Sequence, residues 1–339
     1  MKTVNTILLC VTVGFLSGYI CFWCTHIFYP SLYHNHLEKE VSKFWFPKSI
    51  ETDLPMGEEG AQIKYGYLLI TKTSDYIGPL AKDNSNQFAG NNLSCSNCHL
   101  NAGRKIGSGS FVGVANRFPQ YRGREDKVGS LKERINGCME RSMNGRKMPE
   151  DCEEMEAIVA YMEWLSEDVP NEIEELYKGY VKINIPNHKA NPELGKELYE
   201  LHCERCHMEN GTGKTIPGTN FTGYIYPPLG GHDSFNDGAG MNRVITAAEF
   251  IKGNMPFGAT YDAPMVTDEE AFHLAAYINT FERSSKPNKE ADFPDKRRKP
   301  VSTPYGPWAD EFSADQHKFG PFPPMFEYYK KKYNMNKNK

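Results

Sequence analysis

The chain has no excess of positive charge: 39 Lys and Arg stand against 43 Asp and Glu, a net charge of −4 over 339 residues. That balance gives no footing for a nucleic-acid partner, which needs a basic surface. Cysteine is too sparse for a disulfide scaffold, with nine in a chain of this length, so each must be read separately. The long uncharged, mostly apolar run is residues 7–29, ILLCVTVGFLSGYICFWCTHIFY, after Lys2 and before Pro30. It lacks a clean small-residue cleavage site and exceeds a signal-peptide core of about 7–15 residues. At about 20 residues it is long enough to span a bilayer. Export is therefore expected, with residues 1–30 a cleaved signal peptide or an inner-membrane anchor. Cys10, Cys21 and Cys24 inside it read as small apolar residues.

What the chain does have is two Cys-x-x-Cys-His motifs, Cys95-Ser96-Asn97-Cys98-His99 and Cys203-Glu204-Arg205-Cys206-His207. This is the attachment signature of a c-type haem: two thioethers to the porphyrin and an adjacent histidine on the iron. One copy is weak evidence and also suits a zinc half-site. Two copies with matching surroundings predict two covalently bound haem c groups and a redox protein. Covalent haem attachment outside the inner membrane agrees with export and a periplasmic location.

The length suits two domains with extensions. Residues 31–166 form the first, closing on a helix over 151–166 with an apolar stripe of Met155, Ile158, Val159, Met162 and Leu165. Pro170 stops that helix, and 167–191 read as a linker. The second domain, 192–284, opens with Pro192 at the start of a helix whose apolar side is Leu194, Leu198, Tyr199 and Leu201. It closes with a helix over 268–283, with Phe272, Ala275, Ala276, Ile278 and Phe281 inward, acidic at its start and ended by Arg283. The expected fold is mainly α, two cytochrome c-like haem domains in tandem. Residues 285–339, without clear periodicity, form a wrapping arm with a frayed end.

The sixth position on each iron decides the chemistry. In the second domain the candidate is Met255, in a Met-Pro loop before the closing helix, with Met241 and Met265 as rivals. Met/His ligation raises the potential and suits electron transfer. The first domain has no obvious equivalent; its candidates are Cys138, Met139, Met143 and Met148. Helical turns around Cys138 would put Arg134, Arg141 and Ser142 on its face, although Gly137 makes that helix uncertain. A cysteine between guanidiniums has its thiolate favoured, and the arginines suit a small dianion. The plain alternative is an inert buried thiol. Cys152, at the start of an acidic helix, is given no role.

Several motifs in matching order closely resemble the dihaem thiosulfate dehydrogenases, also called tetrathionate reductases (TsdA-type). They are CSNCHLNAG, Ser110-Phe111-Val112-Gly113, Arg117-Phe118-Pro119-Gln120-Tyr121-Arg122, RINGCMERSMNG, PPLGG, FNDGAGM and NMPFGA, with KPVSTPYGPWAD and FSADQHKFGPF in the tail. The resemblance implies that Cys138 lies opposite His99 on the catalytic haem, and that His207 and Met255 hold an electron-transfer haem. The reaction it implies joins two thiosulfates to tetrathionate with release of two electrons, in either direction, exchanging electrons with a periplasmic c-type cytochrome. Arg122, Arg134 and Arg141 would supply positive charge for two dianions, and Cys138 could carry a thiosulfate adduct. Family members can carry a lysine just before the methionine; here it is Asn254, with Lys252 nearby. Rival readings are a dihaem electron carrier without a substrate, a dihaem peroxidase, and the related sulfur-oxidation cytochrome acting on a carrier protein.

Overall fold

The computed structural model describes residues 45–337. The apolar run 7–29, with Cys10, Cys21 and Cys24, lies outside the described residues. Among the described residues no helix is long and apolar enough to cross a membrane. Residues 47–169 and 176–337 form one compact unit.

Two hydrophobic cores lie within the compact unit. The first is built by α1 (Glu58–Thr71), α2 (Leu131–Met139) and α3 (Glu153–Trp164). The second is built by α4 (Pro192–His202), α5 (Val244–Asn254) and α6 (Asp268–Ile278), joined by α7 (Ala314–Phe319) and α8 (Pro323–Tyr333) from the arm. The only strands among the described residues are two short antiparallel hairpins. β1 (Gln120–Arg122) pairs β2 (Lys127–Gly129), and β3 (Lys214–Thr215) pairs β4 (Tyr224–Tyr226).

Local signals start these helices. Ser130 and Glu133 form a reciprocal capping box on α2, and Thr267 and Glu270 do the same on α6. Asn191 caps α4 through the N–H groups of Glu193 and Leu194, with Pro192 in its first turn. The predicted stripe of α3 is buried throughout: Met155, Ile158, Val159, Met162 and Leu165.

The two halves repeat one helix crossing. A Cβ on Gly66 of α1 would collide with the Ala157 carbonyl and the Tyr161 Cβ of α3; one on Gly195 of α4 would collide with the His273 carbonyl and the Tyr277 Cβ of α6. Each glycine lets backbone approach backbone. This close approach, rather than the leucines, sets the inward face of α4. Tyr199 is buried, whereas Leu194 and Leu201 are 39% and 74% exposed.

Two sequence expectations are corrected. The closing helix α6 ends at Ile278, not Arg283. Arg283 still serves the helix end from outside, donating from Nη2 to the Ile278 carbonyl at 2.8 Å. The arm is neither aperiodic nor frayed within the described residues. Phe322, Met325 and Tyr329 form a helical stripe buried in the second core, and Lys337 packs its Nζ 4.1 Å from the Tyr329 ring.

The arm also reaches the first hairpin. Phe293 donates its N–H to the Arg124 carbonyl at 2.8 Å, and Asp292 pairs with the Arg124 guanidinium while accepting the Tyr305 hydroxyl at 2.7 Å. Burial would raise the Asp292 pKa, but Arg124 and the Tyr305 hydrogen bond outweigh it and hold the carboxyl below its usual range. A group with a depressed folded pKa stabilises the fold above its unfolded value and loses that contribution as pH falls through the folded one. Asp292→Asn should therefore cost about 3–5 kcal/mol at pH 7 by leaving Arg124 unpaired. In urea unfolding, the gap to wild type should narrow below about pH 4.

Candidate active site

Each haem motif folds into one tight turn. His99 and His207 donate their backbone N–H to Cys95 and Cys203, both at 2.9 Å. Ser94 and Asn97 box the first turn, and Thr73 Oγ1 accepts the Cys95 N–H at 3.0 Å. None of Cys95, Cys98, Cys203 and Cys206 is spent on a disulfide, so all four sulfurs remain for haem attachment.

The histidines are prepared in the same way. His99 Nδ1 donates to the Gly109 carbonyl at 2.6 Å and His207 Nδ1 to the Pro227 carbonyl at 2.8 Å. A carbonyl partner fixes the proton on Nδ1 and leaves Nε2 with the lone pair that iron needs. This donor set fits a c-type haem at both motifs.

On the second haem side, Met255 caps the C-terminus of α5 and packs on the second core. Met265 is 57% exposed, and Met241 lies on the 3-10 turn Gly240–Asn242. Asn254 is buried and donates to the Gly107 and Phe250 carbonyls at 2.8 and 3.0 Å. Lys252 pairs with Asp268 at 3.2 Å.

Cys138 stands in the last turn of α2, and Arg134, one turn earlier, donates from Nη1 to its Sγ at 2.7 Å. Burial would raise this thiol's pKa. The Arg134 charge, the contact with His99 and the Arg141 charge outweigh burial and bring it down to about 6. His99 and Cys138 thus face one another, so both side chains would be available to hold one haem. Met139, Met143 and Met148 are instead buried in the first core.

Gly137 proves compatible with the helix and has a steric role. A Cβ there would collide with Arg141 Nη2 and come within 3.2 Å of Arg122 Nη2, so its absence lets two guanidiniums lie against the helix beside the thiol. Arg122 pairs with Glu125 at 2.9 Å, while its Nη1 is buried and lacks a hydrogen-bond partner among the described residues. Such a buried donor is one that a bound anion would satisfy. Because α2 ends at Met139, Arg141 arrives by a turn rather than by helical spacing. Ser142 lies beyond the helix, and its carbonyl accepts Asn91 Nδ2 at 3.0 Å.

Sequence reasoning missed Arg124, Arg243 and Tyr180. Burial and the neighbouring Arg124 lower the Arg141 guanidinium to about 10. Burial with Arg124 and Arg141 does the same to Arg243, against the opposing Tyr305 and Tyr180. Tyr180 comes from the expected linker. It bridges Ser108, and its hydroxyl lies 3.2 Å from the place a Gly109 Cβ would take. Arg124 had a local signal in the Arg-Gly-Arg string of the hairpin; Arg243 and Tyr180, from distant segments, had none.

A separate cluster of His188, Glu269 and His273 has metal-like spacing. His273 Nδ1 accepts the Asn191 N–H at 3.0 Å, which places the ring proton on Nε2, donated to Glu269 at 3.1 Å. That ring is committed as a donor rather than a ligand.

Residues 83–170 match the SoxA/TsdA cytochrome c domain family, and residues 192–282 match the cytochrome c family. Thiosulfate dehydrogenase of Stutzerimonas stutzeri is 36% identical over 249 residues, 74% of this chain and 76% of that one. Thiosulfate dehydrogenase of Allochromatium vinosum is 39% identical over 234 residues, covering 68% and 81%. Among solved structures, the thiosulfate dehydrogenase TsdBA of Marichromatium purpuratum aligns with a TM-score of 0.65 at 32% identity, covering 74% of this chain. This chain spans about half of that one, 51%. Two tandem cytochrome c domains, a pair of covalent c-type haems and this likeness over most of its length place the chain in the thiosulfate dehydrogenase family.

Proposed function

We propose that the chain interconverts thiosulfate and tetrathionate at a site built on Cys138. The observation that carries this reading is the Cys138 thiol, 2.7 Å from Arg134 and facing His99, with Arg122 and Arg141 gathered beside Gly137. Two dianions must meet here, and fixed guanidiniums offset their repulsion without reorganising.

The steps balance. The Cys138 thiolate forms an S–S bond with the outer sulfur of one thiosulfate, giving Cys–S–S–SO3⁻ as two electrons depart. A second thiosulfate attacks the same outer sulfur, forming tetrathionate and returning the thiolate. The Arg134 guanidinium 2.7 Å from the sulfur stabilises the thiolate and so helps Cys138 to leave. Tetrathionate reduction runs these steps backwards. Two bound c-type haems would supply the one-electron redox chemistry that this two-electron reaction needs. His99 and Cys138 would hold the catalytic haem, and His207 and Met255 the electron-transfer haem.

The reading includes export to the periplasm, by a signal or anchor in residues 1–30, and electron exchange with a periplasmic c-type cytochrome. The test is anaerobic stoichiometry with an artificial oxidant. Two thiosulfates should disappear per tetrathionate formed, with two electrons delivered. A protein inert to both sulfur compounds whose haems still reduce and reoxidise would instead be an electron carrier.

A further inference from the structure

Three successive carbonyls stand in the turn just past α2: Glu140, Arg141 and Ser142. The Glu140 carbonyl accepts Asn236 Nδ2 at 2.9 Å, and the Arg141 carbonyl accepts the Asn236 backbone N–H at 3.1 Å. The Ser142 carbonyl accepts Asn91 Nδ2, which also donates to the Ser234 carbonyl, both at 3.0 Å. Asn236 Nδ2 further reaches Asn144 Oδ1 at 3.2 Å. Asn236 and Asn91 are 1% and 0% exposed. The turn that follows the Cys138 helix is therefore held by Asn236 from the second half of the chain, and by Asn91, which ties it to Ser234.

The Asn236 segment also touches the second motif. Pro227 holds His207 Nδ1, the Pro228 carbonyl accepts the Ser234 hydroxyl at 3.1 Å, and Asn236 holds the Cys138 loop. The Asn-Asp-Gly of FNDGAGM thereby acquires a purpose. Asn236 Oδ1 accepts the Gly238 N–H at 3.1 Å, which turns the chain so that the amide faces the carbonyls.

We propose that Asn236 is a positioning residue for the reaction, holding Cys138 and Arg141 in register with the first haem. This rests on the reading that Cys138 is a ligand of that haem. Loss of the clamp would free the turn that ends the Cys138 helix and carries Arg141, while His207 and Met255 stay in place.

The test uses dihaem protein carrying Asn236→Ala, Asn236→Asp or, as a control in the same interface, Tyr224→Phe. Asparagine-to-aspartate keeps the oxygen that accepts from Gly238 and removes the donors to Glu140 and Asn144, so it separates clamp from turn. Both Asn236 variants should shift or split the thiolate-ligated low-spin EPR signal of haem 1 and lower kcat about tenfold. The haem 2 spectrum should not change, and Tyr224→Phe should match wild type throughout. The inference is overturned if the aspartate variant keeps the wild-type haem 1 signal and kcat. A wild-type spectrum without any thiolate signal would sink the Cys138 reading first, and this inference with it.

Discussion

Cys138→Ala should abolish thiosulfate oxidation and tetrathionate reduction together, by about 10³-fold or more, with both haems retained. Retention follows because attachment depends on Cys95, Cys98, Cys203 and Cys206, none of which the substitution touches. Loss in both directions follows because forward and reverse reactions share one adduct and therefore one sulfur. Cys138 is half-buried near the end of α2, outside the first core, so alanine should leave the fold intact. Cys152→Ala is the matching control. Cys152 sits at the N-cap of an acidic helix, where burial raises its pKa, and turnover should not change. Haem content by pyridine haemochrome and anaerobic turnover in each direction provide the measurements. A Cys138→Ala protein that keeps either activity would remove the cysteine from the chemistry.

Gly137→Ala should separate activity from stability. In most helix interiors this exchange stabilises by about 0.5–1 kcal/mol. Here the new Cβ would meet the ends of two largely buried side chains, Arg141 Nη2 and Arg122 Nη2, so displacing them offsets that gain. The fold should thus change little in Tm. The moved guanidiniums, however, are those fixed beside the thiol, and displacing such preorganised charge costs on the order of 10²-fold in kcat/KM. Tm and kcat/KM measured on the same preparation decide it. A variant with normal kcat/KM would mean that Arg122 and Arg141 serve packing or haem propionates rather than substrate.

What the sequence could show followed from whether its signal was local. The haem motifs, Pro192 at the start of α4, the acidic start of α6 and the α3 stripe are contained in single short segments, and each appears in the structure. Arg134 and Cys138 are one helical turn apart, so their contact was also legible. Gly137 looked like a weakness in that helix because the guanidiniums it admits come from Arg122 and from beyond the helix end. Arg243, Tyr180 and Asn236 reach the site only through tertiary packing, which no periodicity records. The stripe of α8 was masked by its flanking prolines and lysines, and the end of α6 by Arg283, which serves the last turn from outside it.

The central claim is that Cys138 is the reacting sulfur, and trapping the adduct tests it most directly. Fully reduced dihaem protein and fully oxidised protein are each mixed anaerobically with tetrathionate, quenched in acid, and digested for peptide mass analysis. Attack of the thiolate on tetrathionate releases one thiosulfate and leaves the other on the enzyme. The account predicts a one-thiosulfate mass increment on the Cys138 peptide, formed as fast as turnover requires and absent from the Cys152 peptide. Turnover that proceeds with Cys138 unmodified at every quench time would contradict it.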